Sequence, residues 1–255
     1  MPIHDLADLT WEEVRDLGRA RPVAVWPIGA LEAHGPHLPL ATDVIIAEAM
    51  ARAGAARLAG AGLEVLLLPA MTYTSAPFAE DFPGTLSATP AAVATLVTDV
   101  ADSLDRMGVR AVALANAHLD PTHLAALHAG VDRCHEAGGM PVAFPDLTQR
   151  PWALRLGDEF RSGACHAGRF ESSIVLAVRP DLVRDDLRRG LAANPHSLST
   201  AITDGKQTFA EAGGDRAYFG WPADATPEEG RALIEVLGDI LAEAVTACLV
   251  AEPGS

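Results

Sequence analysis

The segment IGALEAHGPHLPLATD, residues 28–43, gathers Glu32, His34, His37 and Asp43 into one short stretch without a lysine or arginine. Carboxylates held together need a positive partner, and the chain offers none here. Mixed carboxylate and imidazole donors suit a divalent cation such as zinc, manganese or iron(II). Glu32 and His34 are two apart, so on an extended backbone both face one side. Asp43 follows Pro36 and Pro39, which stiffen the return of the loop. Spacing alone also accommodates a plainer account, in which Thr42 or Asp43 caps a helix and Glu32 and His34 form a surface pair.

Two further clusters carry the same chemistry. NAHLD, residues 116–120, repeats the alternation with His118 and Asp120. Pro121 follows where a first helical residue would stand, so Asp120 is also a helix cap by position. A carboxylate has two oxygens, and capping does not by itself exclude a metal. HAGRFESS, residues 166–173, holds His166 and Glu171, and Glu171 opens the apolar run SIVLAV. A carboxylate at the base of a buried run needs a partner, either a metal or Arg169. His166 has the chemistry of a proton shuttle. Cys165 beside it is a weak nucleophile candidate, because adjacent side chains rarely aim at each other. His123 and His128 read as packing or surface residues.

The elements that must position these clusters alternate between strand and helix. Strands are expected over 22–29, 63–71, 109–117 and 140–145, each a short apolar run. Helices are expected after a Thr10/Glu13 capping box, over 42–58, from Thr89-Pro90 to 107, over 121–139, and from a Thr226/Glu229 capping box to about 250. Buried strands separated by helices imply an α/β fold with a mostly parallel sheet covered on both faces. In such sheets, sites form beyond the carboxyl ends of the strands, where the first two clusters stand. Residues 146–167 break the rhythm and hold Trp152, which makes them either a candidate lid, with Trp152 and His37 as candidate substrate contacts, or equally a surface excursion with a partly buried tryptophan.

Composition narrows the remaining classes. The chain has 255 residues, and its apolar fraction of 49% fits a globular protein read here as one domain over 1–255. A formal net charge of −15 disfavours nucleic acid as a partner. No apolar run is long enough to span a bilayer. The three cysteines form no C-x-x-C pair, which fits a reducing compartment, and with no signal-like start the expected location is the cytoplasm.

In order and spacing the clusters resemble the creatininase (creatinine amidohydrolase) family. WPIGALEAHGPHLPLATDVIIAEAMA is similar to that family's P-x-G-x-x-E-x-H-G-x-H-L-P-x-x-T-D, FPGTLS to its second block, NAHLD to its N-G-H segment, HAGRFESS to H-A-G-x-x-E-T-S, and GWPADATPEEGRAL to its closing segment. The resemblance covers roughly residues 22–235. It implies a three-layer α/β/α domain, a homo-oligomer, commonly a hexamer, and two divalent ions per subunit. It implies Glu32, His34, Asp43 (bridging) and His118 as metal ligands, with Glu171 and Asp120 as further ligands, and His166 as proton donor or substrate-orienting residue. SAPFAED stands where the family has a serine-glutamate-histidine run, Ala117 replaces a glycine, and Pro121 replaces an asparagine. These departures fall at the expected pocket and leave the substrate open.

The resulting expectation is a metal-dependent amidohydrolase acting on an amide or cyclic amide of a small molecule. Its alternatives are a deformylase, peptidase or carbocyclic ketone hydrolase on the same fold, or a metal-binding homologue without activity.

Overall fold

The computed structural model describes residues 1–250. Among them are five strands: β1 (Ile3–Asp5), β2 (Val23–Ile28), β3 (Val65–Leu67), β4 (Ala111–Asn116) and β5 (Val142–Ala143). They form one all-parallel sheet in the order β1-β3-β2-β4-β5. The two central strands, VAVWPI and AVALAN, are buried at every position. They are in register from Val23↔Ala111 to Ile28↔Asn116. The helices are α1 (Trp11–Gly18), α2 (Thr42–Gly60), α3 (Pro90–Arg106), α4 (Pro121–Glu136), α5 (Gly157–Ser162), α6 (Arg169–Val178), α7 (Asp185–Arg189), α8 (Leu198–Thr203) and α9 (Pro227–Val250).

Side-chain alternation along the strands divides the core in two. Val23, Val25, Ala111, Ala113 and Ala115 pack against Met50 of α2, Ile174 of α6 and Leu237 and Leu241 of α9. Ala24, Trp26, Ile28, Val112 and Leu114 pack against Val93 and Val97 of α3 and Leu127 of α4. The result is three layers, with small alanines of β4 letting α9 approach the sheet. The expected helix starts are present: Thr10 closes a capping box with Glu13, and Thr89 accepts the Ala92 amide ahead of Pro90. Three details differ from the sequence reading. The edge strand β1 is too short to announce itself. β3 keeps only the centre of residues 63–71. The run SIVLAV, which the sequence reading assigned to no element, lies in helix α6.

The strand order creates the site. From β2 the chain moves outward to β3, then returns across β2 to lay down β4 on its other side. The connections leaving β2 and β4 therefore diverge and open a crevice between two adjacent carboxyl ends. No helix among the described residues is long and apolar enough to cross a membrane.

Gly29 closes the join between β2 and the start of α2. A Cβ built there would lie 2.5 Å from the Val44 amide nitrogen and 2.6 Å from the Asp43 carbonyl carbon. Only glycine lets the end of the strand touch the helix turn that carries Asp43. Gly29→Ala should cost about 1–3 kcal/mol of stability in urea unfolding. It should also weaken divalent-metal binding, measured by calorimetry, because Asp43 moves with the displaced backbone.

Candidate metal centre

The loop after β2 is held open by backbone and hydroxyl contacts that leave its side chains free. Glu32 N–H donates to the Leu40 carbonyl (3.0 Å), Leu86 N–H to the Leu31 carbonyl (2.9 Å), and Ala33 N–H to Thr85 Oγ (3.2 Å). FPGTLS thus braces the strip that presents Glu32 and His34. Gly35 has a left-handed φ of 61° and donates to the Ala217 carbonyl. Asp43 does not cap α2: the cap position is Ala41, and Thr42 Oγ donates to the Pro39 carbonyl at 2.7 Å. The Asp43 carboxylate turns inward instead.

Three imidazoles meet there in one pattern. His34 Nδ1–H donates to the Glu32 carbonyl (3.1 Å), His118 Nε2–H to the Ser75 carbonyl (2.9 Å), and His166 Nε2–H to the Ala33 carbonyl (2.9 Å). A carbonyl oxygen only accepts, so each outer nitrogen carries the hydrogen and each inner nitrogen presents a lone pair when the ring is neutral. The inner nitrogens face carboxylates. His34 Nε2 is 3.1 Å from Asp43 Oδ1 and 3.5 Å from Glu171 Oε2. His118 Nδ1 is 2.9 Å from Asp43 Oδ2 and 3.4 Å from Glu32 Oε1. His166 Nδ1 is 3.7 Å from Glu32 Oε1. The two oxygens of Asp43 therefore address two different imidazoles.

Three donor triads follow: Glu32/Asp43/His118, His34/Asp43/Glu171 and Glu32/His34/His166, every member buried and each triad's atoms within 4.8 Å of one another. Separations near 3 Å match two donors each about 2.1 Å from a shared ion. Glu32 Oε2, His34 Nε2 and Asp43 Oδ2 are buried with no hydrogen bond of acceptable geometry. Orphaned, convergent donors of this chemistry fit divalent cations, and Asp43 shared by the first two triads fits a bridge.

Without a cation the cluster must hold protons. Burial alone would push His34 down, but the Asp43 and then Glu171 carboxylates overcome it and raise its pKa to about 10. His118 is raised as well, its burial outweighed by Glu32 and Asp43. Burial raises Glu171 to about 8 against the pull of His34. Burial would raise Asp43, yet His34 and His118 hold it well below the usual carboxylate range. His166 goes the other way: burial and then the charge of His34 keep it neutral.

Glu159 of α5 positions the third cluster. Its carboxylate accepts the Arg169 (2.7 Å), Phe170 (2.6 Å) and Trp221 (2.7 Å) amides, which caps α6 from outside the helix. Ala167, at a left-handed φ of 50°, donates its N–H to Glu171 Oε2 at 2.6 Å. Glu171 is thereby aimed at His34, and Arg169 pairs with Asp158 and Glu229 instead.

The geometry places four other candidates as follows. Asp120 sits outside the triads. It caps α4, its Oδ1 accepting from Thr122 (2.7 Å) and His123 (3.4 Å) and its Oδ2 from the Phe78 amide (3.2 Å). Trp152 is half-buried against the main core and under the Arg155 guanidinium, and it does not line the cleft. Of that stretch, Cys165 and His166 border the cleft. His37 is fully buried and outside the cleft lining, its Nε2 2.9 Å from Ser172 Oγ, which ties the loop after β2 to α6. Cys165 borders the cleft, but burial pushes its thiol up, away from the reactive thiolate. The cleft walls missed in the sequence include Leu198, Ile202 and Phe209. The only local signal was a Ser197 cap before two apolar residues four apart.

A family model described as creatinine amidohydrolase matches residues 7–245. The chain belongs to the creatininase family. A mycofactocin precursor peptide peptidase of Mycobacterium tuberculosis is 29% identical over 225 residues, spanning 86% of this chain and 82% of that one. The creatinine amidohydrolase of Pseudomonas putida is 28% identical over 200 residues, spanning 70% and 73%. Both names describe hydrolases. A Zn–Zn form of a glutamate-to-glutamine creatininase variant superposes with a TM-score of 0.75 at 25% identity, covering 97% of this chain and 98% of that one. A manganese form of creatininase gives 0.70 at 25% identity, covering 96% and 98%. The α/β fold read from the sequence and the family resemblance both hold.

Two outcomes follow for this site. His34's folded pKa lies above its ordinary 6.5, so in chelated protein its stabilisation is complete below about pH 6.5 and lost as pH climbs through about 10. The melting temperature of chelated protein should fall across that window, and zinc addition should release protons to an unbuffered solution and restore it. Glu159→Gln sets an amide NH₂ against backbone N–H groups. It should lose about 1–3 kcal/mol in denaturant unfolding and, with the start of α6 loosened, lower the metal content measured by elemental analysis.

Proposed function

We propose that the protein is a metal-dependent hydrolase of a C–N bond, with two divalent cations in the Glu32/Asp43/His118 and His34/Asp43/Glu171 triads. The observation that carries this reading is the Asp43 carboxylate, whose two oxygens face two imidazoles with inward lone pairs. The named activities of the relatives, on creatinine and on a precursor peptide, support amide cleavage, and the zinc and manganese forms of creatininase support the cation class.

When bound, such ions polarise a carbonyl and lower the pKa of water. The chain's own residues do the rest. Asp43, fixed at the first turn of α2, sets the spacing of the two triads. The backbone carbonyls of Glu32, Ser75 and Ala33 hold the imidazoles in the tautomer that points the lone pair inward. His166 directs Nε2 to the Ala33 carbonyl, which leaves the Nδ1 lone pair, 3.7 Å from Glu32 Oε1, to accept a proton and pass it to the leaving nitrogen. Its ring lies 4.2 Å from Phe209 and 4.3 Å from His34, which restricts its rotation.

The substrate is an amide or cyclic amide of a small molecule or short peptide. The test is mass spectrometry of products from a panel of lactams, formamides and short peptides incubated with metal-loaded protein. Asp43→Asn should abolish stoichiometric metal and turnover together. His166→Asn should keep the metal and lower kcat by about 10²–10⁴-fold. Unchanged turnover in Asp43→Asn on a substrate found this way would defeat the assignment.

A further inference from the structure

The cleft beside the triads is sharply divided in character. Its floor is Glu32, Asp43, His118, His166 and Glu171, and its walls include Phe78, Leu119, Leu198, Ile202 and Phe209, with no lysine or arginine among the lining residues. The walls are built rather than incidental. Phe78 is 7% exposed, and its N–H donates to the capping carboxylate of Asp120, which ties this wall to the start of α4. Phe209 N–H donates to the Phe78 carbonyl at 3.1 Å, and the two rings stand 5.9 Å apart. Helix α8 starts on Ser197, whose hydroxyl accepts the Thr200 amide, and Leu198 N–H donates to the Gly163 carbonyl at 2.8 Å. Leu198 and Ile202 are one turn apart and share a face, and both border the cleft. The remaining wall carboxylate, Asp120, already accepts three backbone amides.

We infer that this collar selects an amide whose substituent next to the scissile bond is apolar and uncharged, an aliphatic or aromatic side chain rather than a carboxylate-bearing one. The inference rests on the hydrolase reading above and deepens it. Beyond the metal triads the lining holds no cationic side chain to pair with a substrate anion. A carboxylate pressed against the collar would lose water with nothing to replace it. An apolar group gains by burial there, at roughly three- to fourfold in affinity per methylene covered.

Because the natural substrate need not be known, binding is the readout. Zinc-loaded protein is titrated calorimetrically with acetohydroxamate, hexanohydroxamate and the hexanohydroxamate analogue ending in a carboxylate. Hexanohydroxamate should bind at least tenfold tighter than acetohydroxamate, and the carboxylated analogue should lose that gain. Ile202→Ser, and separately Leu198→Ser, should shrink the chain-length gain about threefold or more. Should either variant fail to fold by circular dichroism, the wild-type ligand series decides alone. Equal affinity for all three hydroxamates overturns the collar and leaves the metal centre standing. No binding of any hydroxamate to zinc-loaded protein takes down the metal-hydrolase reading first, and the collar with it.

Discussion

One constraint organises the structure: imidazole lone pairs cannot rest against buried carboxylates unless a positive charge lies between them. The backbone carbonyls of Glu32, Ser75 and Ala33 take the outer hydrogen of His34, His118 and His166, and so direct the inner nitrogens at Asp43, Glu32 and Glu171. The charge must then be protons or metal. Low local dielectric makes either choice strong. The raised pKa values of His34 and His118 describe the proton-filled alternative, and metal binding competes with it.

The surrounding architecture serves that cluster by close approach. Gly29 lets the end of β2 touch the first turn of α2, which carries Asp43. The FPGTLS segment braces the loop from outside through Thr85 and Leu86. Glu159 caps α6 in trans and so fixes Glu171 and, through Ala167, its aim. His37 and Ser172 join the first motif to the third behind the cluster. Side chains that read as candidate chemistry in the sequence are thus divided between those that face the cleft and those that hold the others still. The departure SAPFAED finds a use on both counts, since the Ser75 carbonyl orients His118 and Phe78 forms a wall.

The donor cluster lies beyond the carboxyl ends of β2 and β4, whereas the cleft walls come from loops and the short helix α8. Phe78 and Leu119 come from the loops after β3 and β4, while Leu198, Ile202 and Phe209 come from the excursion between α7 and α9. Loops can vary while the sheet stays the same, which is how one scaffold serves several substrates.

The sequence by itself determined the layered α/β fold, because hydrophobic runs and helix caps are local signals that survive into the structure. It also named the candidate donors, since E-x-H, T-D, N-A-H and H-A-G-x-x-E name side chains whose chemistry needs no coordinates. Only the tertiary structure decided which of them converge. Asp43 could have capped α2 and does not, while Asp120 could have joined the donors and caps α4 instead. Trp152 could have covered the site and packs on the core, while α8 supplies a wall that nothing near the ligands in sequence foretold. These choices turn on contacts between residues far apart in the chain, such as His118 with Ser75 or His166 with Ala33. Periodicity and capping carry no record of such pairs, because strand order and the packing of distant loops select them.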